Sequence, residues 1–127
     1  MIHVNGHDID FDITAPDDLR RYLAACDALD EAGRNAPNAP DVDTLGTLDG
    51  LRAYEQYITG QCRLLTDFID AAFGDGTCNV LLGEKTSLDT LIDVCDDLRE
   101  AVSAQGAKTG AKISAYRPNR SVRDVMV

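Results

Sequence analysis

The side chains with which this chain could do chemistry are four cysteines, two histidines and a large stock of carboxylates. Cys26, Cys62, Cys78 and Cys95 lie far apart with no CxxC pair, a spacing that fits neither a disulfide framework nor the usual metal-binding pairs. Cys26, Cys62 and Cys95 each fall on the apolar stripe of a predicted helix. They read as reduced thiols packing as small hydrophobic groups. A three-cysteine metal site is the alternative, but no histidine accompanies it, since His3 and His7 both sit in the first few residues. His7 reads as a hairpin-edge residue and not as a ligand or base.

The carboxylates do not converge either. Asp17-Asp18 and Asp96-Asp97 are adjacent in sequence, so on a helix they splay apart instead of aiming at one point. Gly83-Glu84-Lys85-Thr86 ends like a phosphate loop, yet it lacks the earlier glycine, and a short helix is predicted where a strand should precede it. Asp75-Gly76-Thr77 offers too few oxygen ligands for calcium. With no nucleophile and base, metal cluster or phosphate loop, the expectation is a protein that is not an enzyme, with no catalytic residues, no metal and no cofactor.

The elements that must position these residues are mostly helical. From Leu48 to Phe73, apolar residues recur at Leu51, Tyr54, Ile58, Cys62, Leu65, Ile69 and Ala72, a stripe along one side of a helix about 39 Å long at ~1.5 Å per residue. Thr47 is placed to cap it, and Gly50 and Gly60 each weaken it. Gly60 could serve a close helix approach or a bend. Gly74-Asp75-Gly76 ends the helix, and Thr77 can cap a short one that reaches Leu82 and stops at Gly83.

Before this helix, Asn5-Gly6 is the dipeptide of a two-residue type I′ turn. It pairs Val4 with His7 and Ile2 with Ile9 in a hairpin over residues 2–13. Alternation then puts Ile2, Val4, His7, Ile9, Phe11 and Ile13 on one face and His3, Asp8, Asp10 and Asp12 on the other. Thr14, Pro16 and Asp17 open a first helix striped by Leu19, Tyr22, Leu23, Cys26 and Leu29, with Gly33 as its terminator. Arg34 to Thr47, with Pro37 and Pro40, reads as an irregular mobile loop.

A third main helix opens at Thr86-Ser87 and carries Leu88, Leu91, Ile92, Cys95, Leu98 and Val102 on one side. Gly106 and Gly110 weaken its continuation, and Pro118 is expected to stop it near Tyr116. The fold class is therefore mainly α: an N-terminal β-hairpin, three main amphipathic helices and one short connecting helix. Residues 1–116 form a single domain, and 117–127 a basic, flexible C-terminal tail.

Charge divides the chain unevenly. Up to Gln105 there are 7 basic and 21 acidic residues, net −14, and from Gly106 onward 5 basic and 1 acidic, net +4. The overall −10 argues against bulk nucleic-acid binding. An acidic body with a basic end suggests self-association or a partner for that end. No apolar run reaches the roughly 20 residues of a membrane span, and no signal peptide is evident, so a cytoplasmic protein is expected.

Two segments carry a resemblance. One runs from Phe73-Gly74-Asp75-Gly76-Thr77 through Leu82-Gly83-Glu84-Lys85-Thr86-Ser87-Leu88, the other from Tyr116-Arg117-Pro118-Asn119-Arg120 to Arg123. With the Asn-Gly hairpin and the order of helices, the chain resembles a family of small phage and prophage tail-module proteins that are tail assembly chaperone-like. The ending Arg123-Asp124-Val125-Met126-Val127 is less basic than is usual there, and Gly106 and Gly110 interrupt a helix that is often richly charged. The resemblance implies a non-enzymatic protein that binds the tape measure or other tail proteins in the bacterial host cytoplasm. It implies Tyr116, Arg117, Asn119, Arg120 and Arg123 as partner-binding residues, the arginines engaging as the tail folds onto its partner. The alternative is a structural tail or virion component that oligomerises through its hairpin and helices.

Overall fold

The computed structural model describes residues 1–126, with side chains described for residues 1–116. Strands β1 (Ile2–Val4) and β2 (His7–Ile9) form an antiparallel hairpin in the expected register, Ile2 opposite Ile9 and Val4 opposite His7. The turn works because Asn5 and Gly6 both accept positive φ, 52° and 79°. Ile2, Val4, Ile9 and Phe11 are buried as the alternation requires, whereas His7, beside the turn, is exposed.

Three long helices follow: α1 (Pro16–Asn35), α2 (Leu48–Phe73) and α4 (Leu88–Met126), with the short α3 (Thr77–Leu82) between the last two. The region between α1 and α2 is more regular than expected, since Val42–Gly46 winds into a 3-10 helix started by the Asp41 carboxylate, which accepts from the Asp43 amide. Thr47 caps α2 as expected, its hydroxyl accepting from Gly50 N at 3.0 Å.

Other boundaries differ from the sequence expectation. Thr14 does not cap α1. The N-cap is Ala15, with Pro16 at the first helical position, and Thr14 instead donates its amide and hydroxyl to the Asp12 carboxylate. Asp18, not Asp17, reaches back from the first turn, accepting from the Asp12 amide at 2.9 Å. Gly33 lies inside α1, which stops at Asn35 because Ala36, preceding Pro37, is held extended. Thr77 likewise sits just inside α3 and donates to Gly74 O, while the N-terminus of α3 is capped by Asp70 of α2, which accepts from Cys78 N at 2.9 Å. The bounds of α4 run past Pro118, where the sequence predicts an end. The flexible tail expected at 117–127 falls where side chains lie outside the described residues.

The core sits where the hairpin, the C-terminal half of α2, α3 and the N-terminal half of α4 meet. Phe11, Ile69, Leu91 and Leu98 are wholly buried there. Phe11 packs edge-on against Phe73 with ring centres 4.9 Å apart, and Tyr22 joins both this pair and Phe68. α1 lies along α2 and contributes Tyr22 and Ala25. Among the described residues no helix is long and apolar enough to cross a membrane.

Candidate partner-binding surfaces

The four cysteines all pack into or against the one core, while both histidines are exposed on the hairpin. Among the described residues, no three His, Cys, Asp or Glu side chains are grouped so as to hold a metal ion. All four cysteines are free. Cys78 and Cys95 are buried, and Cys26 and Cys62 half-buried. Burial pushes the Cys95 thiol up to about 11, the nearby Arg99 guanidinium only partly offsetting it. Burial also raises the thiols of Cys26 and Cys78. Protonated, packed thiols of this kind are poor nucleophiles. Lys85 and Thr86 lie exposed in the connection between α3 and α4, and His3 is engaged with Asp8 on the outer face of the hairpin at 2.8 Å.

The fold also presents apolar surface between its helices. Along the outer seam of α1 and α2 lies a groove of about 210 Å³. It is lined on one side by Ala25, Ala28, Leu29 and Ala32, and on the other by Leu64, Phe68 and Ala71, with Asp67 as its one charged lining residue. It exists because α1 puts alanine at positions three, four and seven apart, so the two helices meet over small side chains. The sequence reading followed the large apolar residues of α1 and missed the groove. The signal was the spacing of Ala25, Ala28 and Ala32.

The large apolar residues are distributed differently from the expected stripes. Tyr22, Cys26 and Leu29 pack against the core, but Leu19 and Leu23 are exposed. Ile92 of α4 is exposed, and Val94 takes the buried place beside Cys95. On α2 the stripe is sealed at Ile69 and Ala72 but open at Leu51 and Tyr54. A second groove, about 480 Å³ and more open, runs between the first residues of β1 and α4 and has the side chains of Asp12, Lys108 and Lys112 along it. The Asp12 carboxyl is held below its ordinary value by hydrogen bonds from the Thr14 hydroxyl and amide.

Gln105 is the residue that locks the hairpin side of the molecule. Its amide nitrogen donates to Phe11 O and its oxygen accepts from Ile13 N, both at 2.8 Å. One side chain of α4 thus satisfies the extended segment after β2 as a neighbouring strand would. Of the residues implied as partner-binding, Tyr116 is 58% exposed on α4. The side chains of Arg117, Asn119, Arg120 and Arg123 lie outside the described residues.

The chain belongs to a protein family of unknown function, DUF6673, whose family model matches residues 5–126. That family's description names no activity, ligand or partner. No curated protein and no solved structure matches the chain.

Proposed function

We propose that this member of the DUF6673 family acts by binding other proteins, as a non-enzymatic assembly chaperone of the phage tail type, with the tape measure or another tail protein as its client. The observation that carries this reading is the small-residue groove between α1 and α2. Over a floor of the buried Ala25 and Phe68, the small side chains of Ala28, Ala32 and Ala71 let a partner backbone come close, while Leu29 and Leu64 supply apolar contact. An amphipathic helix lays its apolar ridge into such a groove. A tape measure is a long helical chain with apolar stripes, which need cover until assembly. The acidic body keeps the complex soluble, and the basic end of α4 gives the client a second point of attachment through Tyr116, Arg117, Asn119, Arg120 and Arg123. A soluble protein of the host cytoplasm, engaging neither nucleic acid nor membrane, fits this role.

Co-expression with a neighbouring tape measure gene tests it. The two should purify together. Ala28→Trp, which fills the groove from an exposed position, should abolish co-purification while leaving the helical circular dichroism unchanged. A tape measure that is soluble alone and does not come down with this chain rejects the reading.

The second reading, a structural tail component, is favoured by the apolar helix faces left open on α2 and α4. Mass spectrometry of purified particles separates the two, because a structural component is present in many copies and a chaperone is absent.

A further inference from the structure

The core-facing stripes of α2 and α4 are each only half covered, and they are bare at opposite ends of the sequence pattern. On α2, Ile69 and Ala72 are sealed, while Leu51 and Tyr54 on the same stripe are 48% and 39% exposed. On α4, Leu91, Leu98 and Val102 are sealed, and steps of three and four carry the stripe on through Gln105 and Thr109 to Ile113 and Tyr116. Ile113 is 53% exposed and Tyr116 as open as noted above. These are continuations of core faces, not scattered surface residues.

The α4 continuation also has little helical strength of its own. Gly106, Thr109 and Gly110 are poor helix formers, and a helix lacking both propensity and packing does not persist in water. Past Gly106, where an added Cβ would lie 3.6 Å from Ile13 Cγ2, and the half-buried Thr109 and Gly110, residues 111–116 are all exposed. Something must cover this face. Charge says what. Residues 41–55 carry Asp41, Asp43, Asp49 and Glu55 against Arg52, net −3, whereas the chain from Gly106 onward is net +4. Like ends of two copies repel, and unlike ends attract.

We propose that the chain forms a closed dimer in which the bare stripe of α4 in one copy, centred on Ile113 and Tyr116, lies on the bare stripe of α2 in the other, centred on Leu51 and Tyr54. A two-fold axis makes this contact twice and leaves no free end for growth. The α1–α2 groove is not used, and although Tyr116 serves both readings, the sedimentation test contains no client, so its failure is distinguishable from failure of the client reading.

Sedimentation velocity on the full chain, without any client, tests it. The expected species has twice the 13.7 kDa chain mass and dissociates as salt is raised. Ile113→Asp with Tyr116→Asp, or separately Leu51→Asp with Tyr54→Asp, should each weaken dimerisation roughly a hundredfold. All four residues are exposed, so the core should stay folded: the circular dichroism should lose no more than the helicity of the uncovered end of α4, and the unfolding transition should stay cooperative. Should either pair unfold the chain, Tyr116→Ser and Tyr54→Ser alone read the same contact. Mixing the two doubly substituted chains should give a heterodimer through the one intact α4-on-α2 contact, at concentrations where each chain alone is monomeric. A monomer at all concentrations, an open series of larger species, a dimer indifferent to either pair, or no heterodimer on mixing would overturn the proposal.

Discussion

Gln105 and Cys95 show how single side chains set the terms for their surroundings. Gln105 satisfies two backbone groups at once, donating to Phe11 O and accepting from Ile13 N. Gln105→Ala leaves these groups without their partner, and such a loss costs about 1–3 kcal/mol. Urea unfolding should show that loss, and the amides of the hairpin should exchange faster than those of α1. Cys95 acts through burial. Its thiol is pushed up to about 11 in the folded chain, above the roughly 8.5 of a free thiol. The folded state thus holds this proton more tightly than the unfolded state does. The resulting stability is fully present below the free-thiol range and drains away as pH rises toward 11. The urea midpoint should fall across that alkaline window, and Cys95→Ala should flatten part of the fall.

At the scale of elements, the parts governed by local rules were legible in the chain and the parts governed by tertiary partners were not. The Asn5-Gly6 turn, the Thr47 cap and the stripe of α2 follow from spacing alone, and the structure has the turn, the cap and the C-terminal half of the stripe, from Cys62 to Ala72, packed on the core. Thr14 could not be read correctly, because the carboxylates that occupy it and its neighbours, Asp12 and Asp18, offer competing local bonds. The cap of α3 comes from Asp70, eight residues upstream of the amide it holds, and the Gln105 clamp spans 94 residues to Phe11. No periodicity argument reaches those. The small-residue groove was visible as alanine spacing but lost behind the larger stripe. Gly50 and Gly60 make the same point within α2. Both weaken a helix by propensity, yet a Cβ at Gly50 would sit 1.8 Å from Thr44 O, whereas at Gly60 nothing lies within 4 Å. Gly50 is there so that the 3-10 helix can close onto α2. Gly50→Ala should therefore destabilise, by about 1–3 kcal/mol for such an overlap. Gly60→Ala should stabilise by about 0.5–1 kcal/mol. Thermal unfolding of the two variants side by side distinguishes a packed glycine from a free one.

Over the whole molecule, burial is concentrated where the hairpin, α2, α3 and α4 converge, and it thins out along the helices away from that meeting point. Among the described residues, every wholly buried side chain belongs to the hairpin segment, the C-terminal half of α2 or the N-terminal half of α4. The helices themselves run much further, α2 for 26 residues and α4 for 39. Helices held by packing are stable only as far as the packing goes, so resistance to local opening must be graded along each one. Amide exchange on dilute protein, where self-association is absent, should be slowest from Phe68 to Phe73 and from Leu91 to Leu98. It should quicken by orders of magnitude toward Leu51 and beyond Lys108, although both regions are helical. The same gradient should appear in substitutions. Leu98→Ala removes a sealed core residue and should cost about 2–5 kcal/mol. Ile92→Ala, six residues earlier on the open side of the same helix, should stay within about 1 kcal/mol. Uniform protection along α2 and α4 in the dilute monomer would mean that the far ends are held by contacts within one chain, and would remove the need for a partner to cover them.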